Sequence, residues 1–106
     1  MEDHLANVLK LVEIIDYSAN AVVSKTLLKK EHGTMTLFAF DKDQELSPHT
    51  SPYDAVVYIL DGTADILIDK RKHRLNNGEM IIMPANIPHA VYAYGKFKMM
   101  LFMVKD

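Results

Sequence analysis

The chain has 106 residues, of which 49% are hydrophobic, and its formal net charge at pH 7 is -2. This length suits one domain with a small core and leaves no room for a second domain. The lack of cysteine excludes disulfides and thiolate metal sites, and the mixed, nearly balanced charge gives no basic surface of the kind that binds nucleic acid.

From the first residues we expect no signal for export or membrane insertion. Met1-Glu2-Asp3-His4 is acidic, and no uncharged apolar run long enough to span a bilayer follows it. We therefore expect a cytoplasmic protein with no nucleic-acid or membrane partner.

The first elements in chain order are a short helix and a hairpin. Residues 3–16 repeat apolar side chains at a spacing near 3.6, which is typical of an amphipathic helix. Residues 22–28 and 34–40 have the composition of strands, and the turn between them ends in a glycine. We expect Gly33 to adopt the positive φ of a tight reversal.

Further hairpins are predicted in the second half of the chain. Residues 55–60 run into Asp61-Gly62, a strong signal for a type I′ turn, so they are expected to pair with the strand that begins at Thr63. Four more short runs, each bounded by turn residues, follow at 73–75, 79–83, 90–94 and 97–104. The last two are expected to form a hairpin. Many short strands at near-regular spacing favour an all-β sandwich or barrel.

The last predicted strand is apolar on both of its faces. One face carries Phe97, Met99, Leu101 and Met103, and the other carries Met100, Phe102 and Val104. A strand of this kind must be covered on both sides. We therefore expect a homodimer, in which a second copy covers the face turned away from the core.

Two histidines stand beside predicted strands in a way that can bring them together. His49 precedes the strand at 55–60, and His89 follows the strand at 79–83 and a proline-bounded turn. In a regularly extended segment, residues 49, 51, 53 and 55 point the same way, so Tyr53 shares the face of His49. The candidate ligand-binding residues are therefore His49, Tyr53 and His89.

These two segments resemble the paired motifs of the cupins. The first motif of that family reads His-x-His-x-x-x-Glu followed by a strand and a glycine, and the second reads Gly-x-x-x-x-x-Pro-x-Gly-x-x-His. The second is matched from Gly78 to His89, except that Asn86 replaces the inner glycine. The resemblance covers about residues 44–104. It implies a single cupin domain over residues 1–106, folded as an all-β, jelly-roll β-barrel after the short N-terminal helix.

The resemblance also implies an incomplete metal-ligand set. His49 takes the first histidine position and His89 the last, but Ser51 replaces the second histidine and Ala55 replaces the glutamate. A divalent transition ion needs about three protein ligands near 2.0 to 2.2 Å. The two histidines therefore imply at most a weakly held ion such as nickel, zinc, manganese or iron. The nearby residues that could compensate for the missing ligands are Glu45, Tyr53 and Asp54.

The fold by itself selects no reaction. We expect a small-molecule-binding cupin with a two-histidine site in the barrel. The alternatives are a metal-dependent isomerase or dioxygenase acting on a small polar metabolite, and a regulatory or structural dimeric barrel without catalysis. The sequence has no cysteine and no Gly-x-Ser-x-Gly motif to indicate nucleophilic catalysis, so no catalytic residue is assigned.

Overall fold

A computed structural model describes residues 4–105, and over this range the chain forms nine β-strands and no helix. The strands are β1 (Val22–Lys30), β2 (Gly33–Phe40), β3 (Glu45–His49), β4 (Asp54–Asp61), β5 (Thr63–Ile68), β6 (Arg71–Asn76), β7 (Met80–Met83), β8 (His89–Tyr92) and β9 (Phe97–Val104). Since the described range holds no helix, none of its elements is a long apolar helix able to cross a membrane.

The strands form two antiparallel sheets that enclose the core as a jelly-roll barrel. The five-stranded sheet has the order β1-β2-β9-β4-β7, and the four-stranded sheet has the order β3-β8-β5-β6. Phe40, Ile59 and Phe97 of the first sheet are fully buried against Ile66 of the second. The rings of Phe40 and Phe97 stack with their centroids 4.5 Å apart. The prediction of an all-β jelly-roll barrel is therefore confirmed.

The first predicted hairpin forms, but its turn differs from the prediction. β1 pairs with β2, and Lys30 lies opposite Gly33. Gly33 also pairs with Val104 of β9, so it is an extended residue inside the sheet. The expected positive φ at Gly33 is wrong, because the reversal is made by the two residues before it.

The prediction of two later hairpins, one after residues 55–60 and one after residues 90–94, is wrong, although the strands themselves form. β4 and β5 belong to different sheets, as do β8 and β9. A type I′ turn needs positive φ at both central residues, but here only Gly62 has one, at 80°. A Cβ at Gly62 would clash with the carbonyl oxygen of Lys96. The inward apolar faces of β4 and β5 bury each other across the core, and this requires the chain to cross between the sheets.

The predicted N-terminal helix is also wrong over the described residues 4–16, which form turns. Ile15 is buried on the outer face of the five-stranded sheet, against Leu27, Leu37 and Ala39. Val8, in contrast, is 99% exposed, so the regularly spaced apolar residues do not share one buried face. A helix of this length is marginal alone, and contacts with the sheet decide the conformation.

Candidate functional site

His49 and His89 lie side by side on neighbouring strands of the four-stranded sheet. They are register partners at the ends of β3 and β8. Their Nε2 atoms are 3.1 Å apart, and the ring centroids are 4.3 Å apart with the planes inclined at 72°. We call these two residues the histidine pair.

The backbone on both sides positions the histidine pair. The register of β3 shifts between Leu46 and His49, so this strand bulges just before the histidine. The loop before His89 is held by two hydrogen bonds. The N–H of Ala85 donates to the carboxylate of Asp54 over 2.8 Å, and the N–H of Asn86 donates to the carbonyl of Ser51 over 2.7 Å.

Asn86 keeps the turn in the conformation that glycine would adopt. Its φ is 63°, in the left-handed region that asparagine tolerates better than most residues. The residue that departs from the cupin motif therefore has a backbone conformation that glycine also adopts.

Hydrogen bonds fix which nitrogen of each ring carries a proton. Nδ1 of His49 lies 2.7 Å from the carbonyl oxygen of Ser47, and Nδ1 of His89 lies 3.2 Å from that of Ile87. A carbonyl oxygen only accepts, so both Nδ1 atoms donate and both Nε2 atoms are bare when the rings are neutral. Two facing lone pairs at 3.1 Å repel each other, and one proton or one cation between them relieves this repulsion.

Burial sets the electrostatics of the inner ring. His89 is only 5% exposed, whereas His49 is exposed. Burial lowers the pKa of His89 below its ordinary value, and a positive charge on His49 lowers it further, against the opposing effect of the Ile87 carbonyl. The histidine pair therefore resists carrying two positive charges.

The histidine pair borders a cavity of about 510 Å³ between the two sheets, which we call the central cavity. This volume is in the range of small-molecule sites. Most of its lining is apolar, with side chains from both sheets: Phe38, Leu46, Ala55, Met83, Val91, Met99, Leu101 and Met103. The polar lining residues are Ser47, His49, Ser51 and His89, of which Ser47 and His49 are exposed to solvent.

The other predicted site residues lie elsewhere. Tyr53 does not line the central cavity, and the ammonium group of Lys105 lies 5.4 Å from its ring centroid. Glu45 is exposed on the other side of β3, because the bulge changes which residues face inward. Asp54 holds the loop before His89 instead of facing the cavity. None of these three side chains compensates for the missing ligands.

The donors in the central cavity do not complete the ligand set of a divalent ion. A separation of 3.1 Å between the Nε2 atoms fits two adjacent ligands of one ion at about 2.0 to 2.1 Å, with an angle of about 100° at the metal. Within residues 4–105, however, no group of three or more histidine, cysteine, aspartate or glutamate side chains is placed to hold an ion. Two imidazoles are thus the whole conventional donor set.

A second hollow, of about 620 Å³, lies on the outer face of the four-stranded sheet, away from the histidine pair. Its floor is the ion pair in which Nε and Nη2 of Arg74 donate to the two carboxylate oxygens of Asp65 over 2.9 and 3.1 Å. Asp65 is only 2% exposed, because Arg74 covers it. The guanidinium holds the pKa of Asp65 below its ordinary value. The two charged groups in this hollow are therefore hydrogen-bonded to each other, which indicates a structural role.

Sequence reasoning missed most of the cavity wall. Phe38 and Leu46 line the cavity, and neither belongs to a motif. The alternation of β2 places Phe38 on the inward face with Phe40, which is the one signal that the sequence offered. The inward turn of Leu46 depends on the bulge, which the sequence does not show.

Comparison with known proteins agrees with this architecture. The model of the cupin domain family matches residues 36–105. The chain belongs to the cupin family. A conserved Streptococcus pyogenes protein of unknown function is 42% identical, with a TM-score of 0.90 over 95% of this cupin and 89% of that chain. A cupin 2 conserved barrel protein from Leptotrichia buccalis is 40% identical, with a TM-score of 0.89 over 92% of this cupin and 47% of that chain.

One curated relative carries the name of an activity. The protein from Clostridioides difficile called acetate kinase EutQ is 42% identical over 50 residues, which are 45% of this cupin and 32% of the relative. The cupin thus spans about a third of the length of the curated relative that it matches. A further structure, a cupin superfamily protein from Desulfitobacterium hafniense, is 29% identical, with a TM-score of 0.89 over 95% of this cupin and 93% of that chain.

Proposed function

We propose that this cupin binds a small, mainly apolar molecule in the central cavity, with the histidine pair as its polar anchor. The proposal depends on one observation, which is that the cavity combines a largely apolar wall with two imidazoles. Its wall is apolar over most of about 510 Å³, and its two imidazoles present their Nε2 atoms 3.1 Å apart. Apolar sites with a few convergent polar groups are typical of small-molecule binding.

The positions of the protons on the histidine pair indicate which chemical groups a ligand must carry. Both Nδ1 atoms are used by backbone carbonyls, so the neutral rings offer acceptors to a ligand. A ligand with a hydroxyl or N–H group next to an apolar body can donate a hydrogen bond to the Nε2 atoms and fill the apolar part of the cavity. An apolar molecule without a donor leaves the two lone pairs facing each other.

No reaction is proposed. The kinase activity named for the Clostridioides difficile protein belongs to a chain of which this cupin matches 32%. A metal-dependent reaction with a divalent transition ion lacks a conventional ligand set among the described side chains. The expected cytoplasmic location stays a prediction from the sequence.

The test compares 1-naphthol with naphthalene, two probes that differ by one hydroxyl donor. Melting temperatures of the metal-free cupin are measured with each probe. We expect 1-naphthol to raise the melting temperature more than naphthalene does, and expect His49→Ala and His89→Ala to abolish that difference. His32→Ala is the control, since this exposed histidine lies in the β1–β2 turn. If both cavity variants still preferred the hydroxylated probe, the anchor role would be wrong.

We also propose a homodimer formed through the outer face of the five-stranded sheet. The N-terminal segment covers one part of that face and leaves another part open. The open part, the outer apolar patch, consists of Val56, Met80, Ile82, Phe102 and Val104. Half-buried Val56 pairs with both Ile82 and Phe102, so these outward side chains form a row across three strands. Ile82 is 54% exposed and Met80 is 50% exposed, and a patch of this kind marks a contact surface.

A further inference from the structure

The central cavity contains a second set of potential metal donors, which are thioethers. Met83, Met99 and Met103 all line it, together with the histidine pair. No aspartate or glutamate is among the described residues of the lining. Every donor atom that the cavity offers to an ion is therefore formally neutral when the imidazoles are unprotonated.

Two of the methionines flank the position where the cupin motif has its glutamate. Ala55 on β4 pairs with Met83 on β7 and with Met103 on β9. Register partners on neighbouring strands share a face, with their Cβ atoms about 4.5 to 5.5 Å apart. The methyl group of Ala55 leaves the space between the two thioethers open toward the cavity.

The row of Met83, Ala55 and Met103 lies at the same end of the cavity as the histidine pair. Ala55 follows His49 by six residues, and His89 follows Met83 by six residues. The two connecting loops are hydrogen-bonded to each other, from Ala85 to Asp54 and from Asn86 to Ser51. Met99 belongs to the other end, since it pairs with Ile59 and lies four residues, or roughly 13 Å, from Met103 along β9.

Ligand softness and charge decide which ion suits this set. Thioethers favour copper(I), and imidazoles suit copper as well as zinc, iron and nickel, whereas manganese(II) prefers carboxylate oxygens and non-haem iron(II) sites commonly include one. A neutral donor set in an apolar cavity also disfavours a divalent ion, because no protein charge compensates for it. The Nε2 separation of 3.1 Å already suits two nitrogen ligands of one ion.

We propose that the central cavity is a copper(I) site, in which the histidine pair supplies two nitrogen ligands and the thioethers of Met83 and Met103 replace the missing histidine and glutamate. The inference rests on the proposed anchor role of His49 and His89. It replaces the divalent ion implied by the cupin motif with a soft monovalent one.

The experiment measures copper(I) affinity in the purified full-length protein. The metal-free protein competes with the chromophoric chelator bicinchoninate for copper(I), without oxygen and with ascorbate present. We expect about one copper(I) per chain, a loss of affinity of about tenfold or more in the double variant Met83→Leu/Met103→Leu, and a similar loss in His89→Ala. Leucine conserves the volume of methionine, so the core stays packed. Met99→Leu, the same exchange at the other end of the cavity, should bind as the parent does.

X-ray absorption at the copper edge gives a second readout. The parent should show sulfur as well as nitrogen scattering, and the sulfur contribution should disappear in Met83→Leu/Met103→Leu. The inference is overturned if the parent takes up no copper(I), if the double variant binds as the parent does, if Met99→Leu weakens binding equally, or if zinc(II) in a parallel competition binds more tightly. Retention of the 1-naphthol preference by the metal-free parent in those cases would show that the proposed function survives and that only the copper site has failed.

Discussion

Replacing Gly62 by alanine tests how the chain crosses between the two sheets. Gly62 has a φ of 80°, where a Cβ crowds the backbone and costs about 1–2 kcal/mol. The added Cβ would also clash with the carbonyl oxygen of Lys96 and lie 3.0 Å from Cβ of Phe97, so the backbone must shift. Overpacking of this kind costs roughly 1–3 kcal/mol more. We therefore expect Gly62→Ala to lower the free energy of unfolding by about 2–5 kcal/mol.

Gly78→Ala separates the two contributions. Gly78 has a φ of 88°, and nothing lies within 4 Å of a Cβ built there, so only the cost of about 1–2 kcal/mol for the backbone conformation remains. Urea unfolding followed by circular dichroism, with all proteins at one concentration, measures both losses. Equal losses in the two variants would refute the argument that the approach of Lys96 dictates glycine at the crossing.

Three more predictions concern charge and assembly. Arg74→Met should destabilise the cupin more at pH 7 than at pH 3 in urea titrations, because Asp65, whose pKa is lowered below 3.8 by Arg74, gives that stabilisation above pH 3.8 and loses it as the pH falls. The parent should lose stability as the pH falls below 6.5, because His89 takes up a proton in the unfolded chain but resists protonation when it is buried in the folded one. His89→Gln should flatten this pH dependence of the free energy of unfolding. An unchanged slope in that variant would contradict the role given to His89. In sedimentation analysis we expect the parent to be a dimer and Ile82→Lys to be a folded monomer, whereas the control Thr63→Lys, on the other sheet, should leave the dimer intact.

The sequence predicts the strands better than their partners. The strands at residues 55–60 and after Thr63 are predictable because alternation and turn residues are local signals. The assignment of these strands to different sheets is not predictable in this way, since Asp61-Gly62 indicates a change of direction but gives no information on which apolar faces pack together. The same limit explains the error over the N-terminal segment, where contacts of Ile15 with the sheet replace the helix.

The candidate site shows a similar division. The cupin motif leads to His49 and His89, and the structure brings their rings within hydrogen-bond distance. The parity of a regular strand predicts that Tyr53 shares the face of His49, but the bend at Pro52 breaks that parity. The thioethers on both sides of Ala55 depend on long-range register, which one sequence does not contain.

The four edge strands bear on how copies of this cupin meet. β1 carries Lys29 and Lys30 at its exposed end, and β6 carries the charged run from Arg71 to Arg74. β3 has Pro48 and a bulge, and β7 is only four residues long. Each of these features blocks the addition of another strand by main-chain pairing. Growth into filaments by strand addition is therefore disfavoured, which agrees with the proposed dimer, where self-association through the sheet face would close at two copies.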